Sequence, residues 1–398
     1  MTPQIYHEYS KILEKIAENL DITTTQYEEA KSKYEAVGKW LEDDLSPLKR
    51  FRPKISPQGS FRLGTVIKPL FEHEEYDVDL TCKLHIVKNS ITQQLLKKMV
   101  GDRLKENENY KRMLGPEKRR CWRLHYAEDT QFHLDIVPSI PDDQIVIKLL
   151  ESKSVPSNIA QHALCITDKE TWNYDRDFPK SNPEGYAIWF TNQMKQEFEK
   201  KKQLLAEGLK MKMDEIPEYK IKTTLQRVVQ LLKRHRDIRY QKDEDKPISI
   251  ILTTLAAKVY NNETDIYEAL RNILSKMDSA IEKDIEGKFQ IKNPVNPDEN
   301  FADKWNKNER KAELFFEWLE VARKDFNSLD GKNFIELSES LKPVFGEKVV
   351  IKSYKEIAEK LKIERENGNL FMTEGTGILS VGSKQNTIKV PNHTNFGN

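Results

Sequence analysis

The sequence predicts a mixed α/β protein of two lobes, a sheet-bearing lobe followed by a helical one, with a helical spine at its amino terminus. Three observations carry this. Apolar residues recur at helical spacing over the first forty-odd residues. Between about Leu45 and Thr167, proline, glycine and β-branched residues rise and short alternating runs appear. Beyond Gly185 the helical period returns. At 398 residues the chain is long enough for a bilobed enzyme.

The spine, residues 1–44, reads as two helices. The first has Ile5, Ile12, Leu13, Ile16 and Leu20 on one face; the second has Ala30, Val37, Trp40 and Leu41. Thr25 with Glu28 is the expected capping box of the second. The sheet lobe, residues 45–180, holds strand candidates at Tyr76–Leu84, Cys121–Tyr126 and Gln131–Val137, with Glu128 and Asp129 as a hairpin loop between the last two. A Pro-, Asn- and Asp-rich stretch leads to the helical lobe, residues 181–345. Its helix candidates are Tyr186–Leu209, Thr223–Tyr240, Pro247–Tyr260, Thr264–Asp278 and Asn308–Ser328. Residues 346–398 close the chain; from about Arg365 they are rich in Gly, Asn and Thr, the composition of a tail lying over the body or partly mobile.

Charge sets limits on partners. Lys and Arg number 65 against 64 Asp and Glu, a net charge of +1, which argues against a protein that coats nucleic acid through bulk charge. Cys82, Cys121 and Cys165 lie far apart with no C-x-x-C pair, so neither a disulfide framework nor a zinc ribbon is encoded and a reducing cytoplasm fits. The eight histidines show no metal-ligand spacing. The longest nearly uncharged apolar stretch, near Ile248–Ala257, is about half a membrane span, so no membrane association or export is expected.

The chemistry-bearing residues fall in three places. In Glu75-Tyr76-Asp77-Val78-Asp79-Leu80-Thr81 the acids alternate with apolar residues, so a strand turns both carboxylates to one face and Val78 and Leu80 to the core. Such a pair repels itself unless a divalent cation sits between its members. Upstream, Gln58-Gly59-Ser60 forms a turn that would offer backbone N–H groups and a hydroxyl to an anion. Downstream, Asp135 stands alone in the apolar run Phe132-His133-Leu134-Asp135-Ile136-Val137, a costly position without a partner or a metal. Together they suit an in-line phosphoryl displacement. Asp77, Asp79 and Asp135 would hold two divalent ions, Mg²⁺ or Mn²⁺, about 3.5–4 Å apart. Asp135 would also serve the attacking hydroxyl, while Gly59 and Ser60 grip a donor triphosphate.

With these residues the chain resembles the bacterial cGAS/DncV-like nucleotidyltransferases (CD-NTases), which share the polymerase-β-like fold with animal cyclic GMP-AMP synthase and the oligoadenylate synthetases. The resemblance covers most of the chain and rests on QGSFRLGT, EYDVDLT, FHLDIVPSI, SNPEGYAIWF, LQRVVQLLKRHRD, KPISIILTTLAA and a closing HTNFG. The long gap between Ser60 and Asp77 is itself similar to the bacterial branch. The resemblance implies that Lys233 contacts donor phosphates and that Ser249 does so from the start of the next helix, where Pro247 suits a first helical position. The plainer roles are a solvated basic face for Lys233 and a cap for Ser249. Arg62, Lys68 and Arg123 could line the pocket or serve as surface ion pairs, and Trp172, Tyr174 and Trp189 could stack a base or pack in the core.

The implied activity joins nucleoside triphosphates, ATP foremost and GTP also, into a cyclic di- or trinucleotide that signals in anti-phage defence. No double-stranded DNA activator is expected, because the zinc insertion of the animal enzymes is missing. An E1/E2-like conjugating partner could act on the terminal segment, although the chain ends in Asn398 and Phe396 could instead pin that segment to the body. The rivals are a template-independent or oligoadenylate-type enzyme making linear products, and an inactive nucleotide-binding module.

Overall fold

The computed structural model describes residues 3–71, 74–126, 132–174, 177–374, 379–383 and 386–391. Its centre is a mixed six-stranded sheet. Strand β1 (Lys54–Pro57) runs antiparallel to β2 (Tyr76–Lys83), and β2 runs parallel to the long strand β4 (Phe132–Pro141). Antiparallel partners β3 (Trp122–His125) and β5 (Leu164–Ile166) take successive stretches of β4, and the short β6 (Lys180–Ser181) closes the far edge. The β3–β4 pair is the expected antiparallel one; the loop expected at Glu128 and Asp129 lies outside the described residues.

The alternation in β2 decides which face is core. Val78, Leu80 and Cys82 are fully buried with Leu134 and Ile136 of β4, against Ala30, Val37 and Leu41 of the Thr24–Glu42 helix and Leu96 and Val100 of the Gln93–Lys105 helix. A separate core joins Ile12, Leu13, Ile16 and Leu20 of the Pro3–Leu20 helix to Leu225, Val228, Val229 and Leu232 of the Thr224–Tyr240 helix. The two spine helices therefore serve different cores and tie the sheet side to the helical side.

Several local expectations need correction. The capping box of the second spine helix is Thr23 with Gln26: Gln26 N donates to Thr23 Oγ1 at 3.1 Å and Thr23 N to Gln26 Oε1 at 2.9 Å. Thr25 lies inside the first turn. Where several threonines can cap, the earliest gains the extra intrahelical bonds. The Tyr186–Leu209 helix is two, Pro183–Gln193 and Lys195–Leu209, broken at the buried Met194. The helix expected from Pro247 begins at Ser249. Among the described residues of the closing segment there is a small sheet that its composition did not signal. After the Glu347–Glu366 helix, Leu370–Thr373 pairs antiparallel with both Leu379–Val381 and Thr387–Lys389. Residues 392–398, with the expected tail contact of Phe396, lie outside the described residues. The three cysteines are free and buried, and no helix among the described residues is long and apolar enough to cross a membrane.

Candidate active site

The strand register writes the site as two rows across three strands. Asp79 lies directly opposite Asp135, which lies opposite Arg123; two residues along, Asp77 lies opposite His133, which lies opposite His125. Because side chains two apart share a face, all six belong to one side of the sheet. The three aspartates expected to work together are brought together.

Their electrostatics is that of anions awaiting cations. Burial first, and then the Asp77 and Asp135 carboxylates, push the pKa of Asp79 up to about 6. Asp135 is held by a bidentate pair with Arg123, at 2.7 Å from Nε to Oδ1 and 2.6 Å from Nη2 to Oδ2. Arg123 Nη2 also stands 3.7 Å from Asp77 Oδ1. His133 Nε2 meets Asp77 Oδ1 as a close ion-pair contact rather than an aligned hydrogen bond, and Nδ1 lies 2.9 Å from Glu75 Oε2. That contact holds the Asp77 carboxyl below its ordinary value. Burial opposes charge on His133, yet Asp77 and Glu75 outweigh it and raise its pKa. Arg123, joined by His133 when it is protonated, thus supplies positive charge beside carboxylates that a metal could use. Carboxylate oxygens of Asp77 and Asp135 lie within 4.8 Å of one another, so these two oxygen donors fit a hard divalent cation.

A cleft of about 500 Å³ opens on this face, lined by Gly59, Ser60, Asp77 and Asp79 on one side and Lys233, Arg236 and Ser249 on the other. Gln58, extended at φ −137°, donates its N–H to Asp79 O at 2.8 Å and is not among the lining residues. Gly59 turns the chain at φ +57°, a left-handed conformation, and a Cβ there would stand 2.6 Å from Asp79 Oδ2. Only glycine lets this turn approach the aspartate so closely.

Lys233 is buried and donates to Thr65 O at 3.0 Å and Thr65 Oγ1 at 3.1 Å. Desolvation, then the nearby Arg236, lowers its pKa from an ordinary 10.5 to about 7. The whole run Lys233-Arg234-His235-Arg236 is buried, which overturns the plainer reading of a solvated face. Ser249 is the first residue of its helix and makes no capping bond; its Oγ accepts from Arg236 Nη1 at 2.9 Å.

Sequence reasoning left out His133 and Arg236 and chose no role for Arg123. Their partners, Asp77, Ser249 and Asp135, are supplied by tertiary pairing rather than by sequence spacing; the only early signal was that His133 and Arg123 lie on the strands that carry or flank Asp135. Arg62 turns away from the cleft to pair with Glu184 at 3.0 Å, whereas Lys68 lines the cleft. None of the three aromatics lines it: Trp172 stands over Lys97, Tyr174 is exposed, and Trp189 packs on Tyr186.

Comparison with known proteins agrees with this architecture. Residues 53–138, which span Gly59, Asp77, Asp79 and Asp135, match the family model of the cyclic GMP-AMP synthase DncV-like nucleotidyltransferase domain. A c-di-GMP synthase of Roseivirga ehrenbergii is 33% identical over 97% of this chain and 96% of its own. The cyclic dinucleotide synthase CdnG of Bradyrhizobium diazoefficiens is 24% identical over 97% of this chain and 94% of its own. The structure of that CD-NTase in complex with GTP superposes with a TM-score of 0.66 at 20% identity, covering 88% of this chain and 99% of the other. With the full-length match at 33% identity, the chain belongs to the CD-NTase family of nucleotidyltransferases.

Proposed function

We propose that this chain joins two molecules of GTP into cyclic di-GMP with release of two pyrophosphates, as a signal in anti-phage defence. The observation that carries the chemistry is the register row Asp79–Asp135, with Asp77 on the same face, across a cleft from Lys233 and Arg236. The base choice is supported by the 33% identity to a c-di-GMP synthase over nearly the whole chain.

Asp77, Asp79 and Asp135 would hold the cations that accompany the donor triphosphate, and the Gly59-Ser60 turn, Lys233 and Ser249 would orient its phosphates. Mg²⁺ or Mn²⁺, two ions, would supply the positive charge on the attacking and leaving oxygens. Asp135 takes the proton of the attacking ribose hydroxyl once Arg123 releases it. The hydroxyl oxygen bonds to the α-phosphorus as the α–β anhydride bond breaks and pyrophosphate leaves. A second round on the linear product closes the ring.

Incubation with GTP alone, ATP alone and all four ribonucleotides, with Mg²⁺ or Mn²⁺, followed by phosphatase and mass analysis, tests this. The expected result is a phosphatase-resistant cyclic di-GMP from GTP alone. A cyclic product that requires ATP overturns the base choice, and a linear ladder overturns cyclisation. The proposal includes an E1/E2-like conjugating partner at residues 392–398; a mass shift on the intact protein in cells carrying such a ligase supports it, and no shift removes it.

A further inference from the structure

Beside the aspartates, the same face gathers a second donor set, of which Glu75 also lines the cleft. His125 and His133 stand directly opposite each other on β3 and β4, their ring centroids 5.8 Å apart. Glu75 immediately precedes β2 and points its Oε2 between them, 2.9 Å from His133 Nδ1 and 3.5 Å from His125 Nδ1. Donor atoms from the three residues all lie within 4.8 Å of one another.

We infer that Glu75, His125 and His133 form a transition-metal site, suited to Zn²⁺, next to the nucleotide-transfer face. Four donors around a tetrahedral zinc stand roughly 3.3 Å apart, given bonds of about 2.0–2.1 Å; the two measured contacts straddle that spacing. Two imidazoles and one carboxylate leave the fourth position open, the composition of an accessible rather than a sealed zinc site. Exposure agrees: His133 is buried and fixed, while His125 and Glu75 are partly open to solvent, so an ion has a way in. Nitrogen ligands select this ion over Mg²⁺, which takes oxygens.

The other ring nitrogen of His133 faces Asp77. A metal on Nδ1 would leave the proton on Nε2, beside that carboxylate, and an outer carboxylate there can orient a metal-bound histidine. The site requires no assumption about which nucleotide is used.

The test uses tag-free, chelator-treated full-length protein titrated with Co²⁺ in a large excess of Mg²⁺. One equivalent of Co²⁺ giving a tetrahedral visible spectrum, displaced by one equivalent of Zn²⁺, is expected. His125→Ala and Glu75→Gln should each weaken binding roughly a hundredfold, while Asp79→Asn keeps it. Glu75→Gln preserves side-chain size, so loss of the signal in this variant reports the ligand and not the fold. Absence of the spectrum in the parent overturns the site, as does its survival in His125→Ala. Its loss in Asp79→Asn would assign the ion to the nucleotide-transfer aspartates and overturn it equally.

Discussion

The two walls of the cleft hold their charges in opposite discomfort. On the sheet wall, backbone register forces Asp79 beside Asp77 and Asp135, and burial with repulsion drives the Asp79 pKa up to about 6. On the helical wall, burial beside Arg236 drives the Lys233 pKa down to about 7. One wall wants positive charge and the other negative. A metal-bound triphosphate supplies both, the cations to the acids and the phosphates to the lysine. Each wall meanwhile has partial substitutes: Arg123 and His133 for the acids, the oxygens of Thr65 for the lysine. A site built for a charged ligand can be recognised by groups on opposite sides pushed toward their neutral forms.

The largest effect is expected at the sheet wall. Asp77→Asn or Asp79→Asn should lower turnover by roughly a thousandfold or more, because charge stabilisation of the transition state goes with the metal ligand. Relief of burial and repulsion should hold or raise the melting temperature of nucleotide-free Asp79→Asn, whereas Asp77→Asn gives up its contacts with His133 and Arg123 and should not rise. Turnover within tenfold of the parent contradicts the assignment.

Asp135→Asn separates chemistry from donor binding. Turnover should collapse while GTP affinity, measured without turnover, stays within a few-fold. If affinity falls as far as turnover, Asp135 belongs to the donor-holding wall.

At the helical wall, Lys233→Met should weaken donor affinity by roughly 10–100-fold, the worth of about 1.5–3 kcal/mol for a hydrogen bond to a charged group. The same variant tests the pKa. Between about 7 and 10.5 the unfolded lysine holds a proton that the folded one does not, so stability rises with pH through that window. Below about 7 both states are protonated and the full cost of burying the charge is present. The parent's melting temperature should therefore gain on that of Lys233→Met between pH 7 and pH 9. Parallel curves would show that the lysine is not depressed.

The smallest effect belongs to Gly59→Ala. A left-handed alanine costs about 1–2 kcal/mol, and its Cβ would press on Asp79 Oδ2. Turnover should fall by roughly tenfold, with Asp77 unaffected in metal binding.

Much of this site was legible in the residues. Alternation placed Asp77 and Asp79 on one face because a strand's period is fixed, and the lone Asp135 in an apolar run signalled a needed partner. That partner in the fold is Arg123, which composition could not distinguish from a surface ion pair. His125 and His133 escaped notice for a related reason: they are eight residues apart in the chain and meet only through antiparallel register. The capping box slipped by two residues because three consecutive threonines, Thr23 to Thr25, can each cap. The small sheet of Leu370–Thr373 was hidden because its strands are three or four residues long, too short for alternation to stand out among Gly and Asn.

If one metal-bound triphosphate resets both walls, its binding must move protons, and these can be counted. Calorimetric titration of Mg²⁺ and a non-hydrolysable GTP analogue at pH 8, in buffers of different ionisation enthalpy, gives the protons exchanged on binding. A lysine with a pKa of about 7 is roughly one-tenth charged at pH 8 and nearly fully charged against phosphate. The parent should therefore take up about 0.9 of a proton more than Lys233→Met. Equal proton exchange in the two proteins would mean that Lys233 does not meet the triphosphate as an uncharged amine, and would contradict the account.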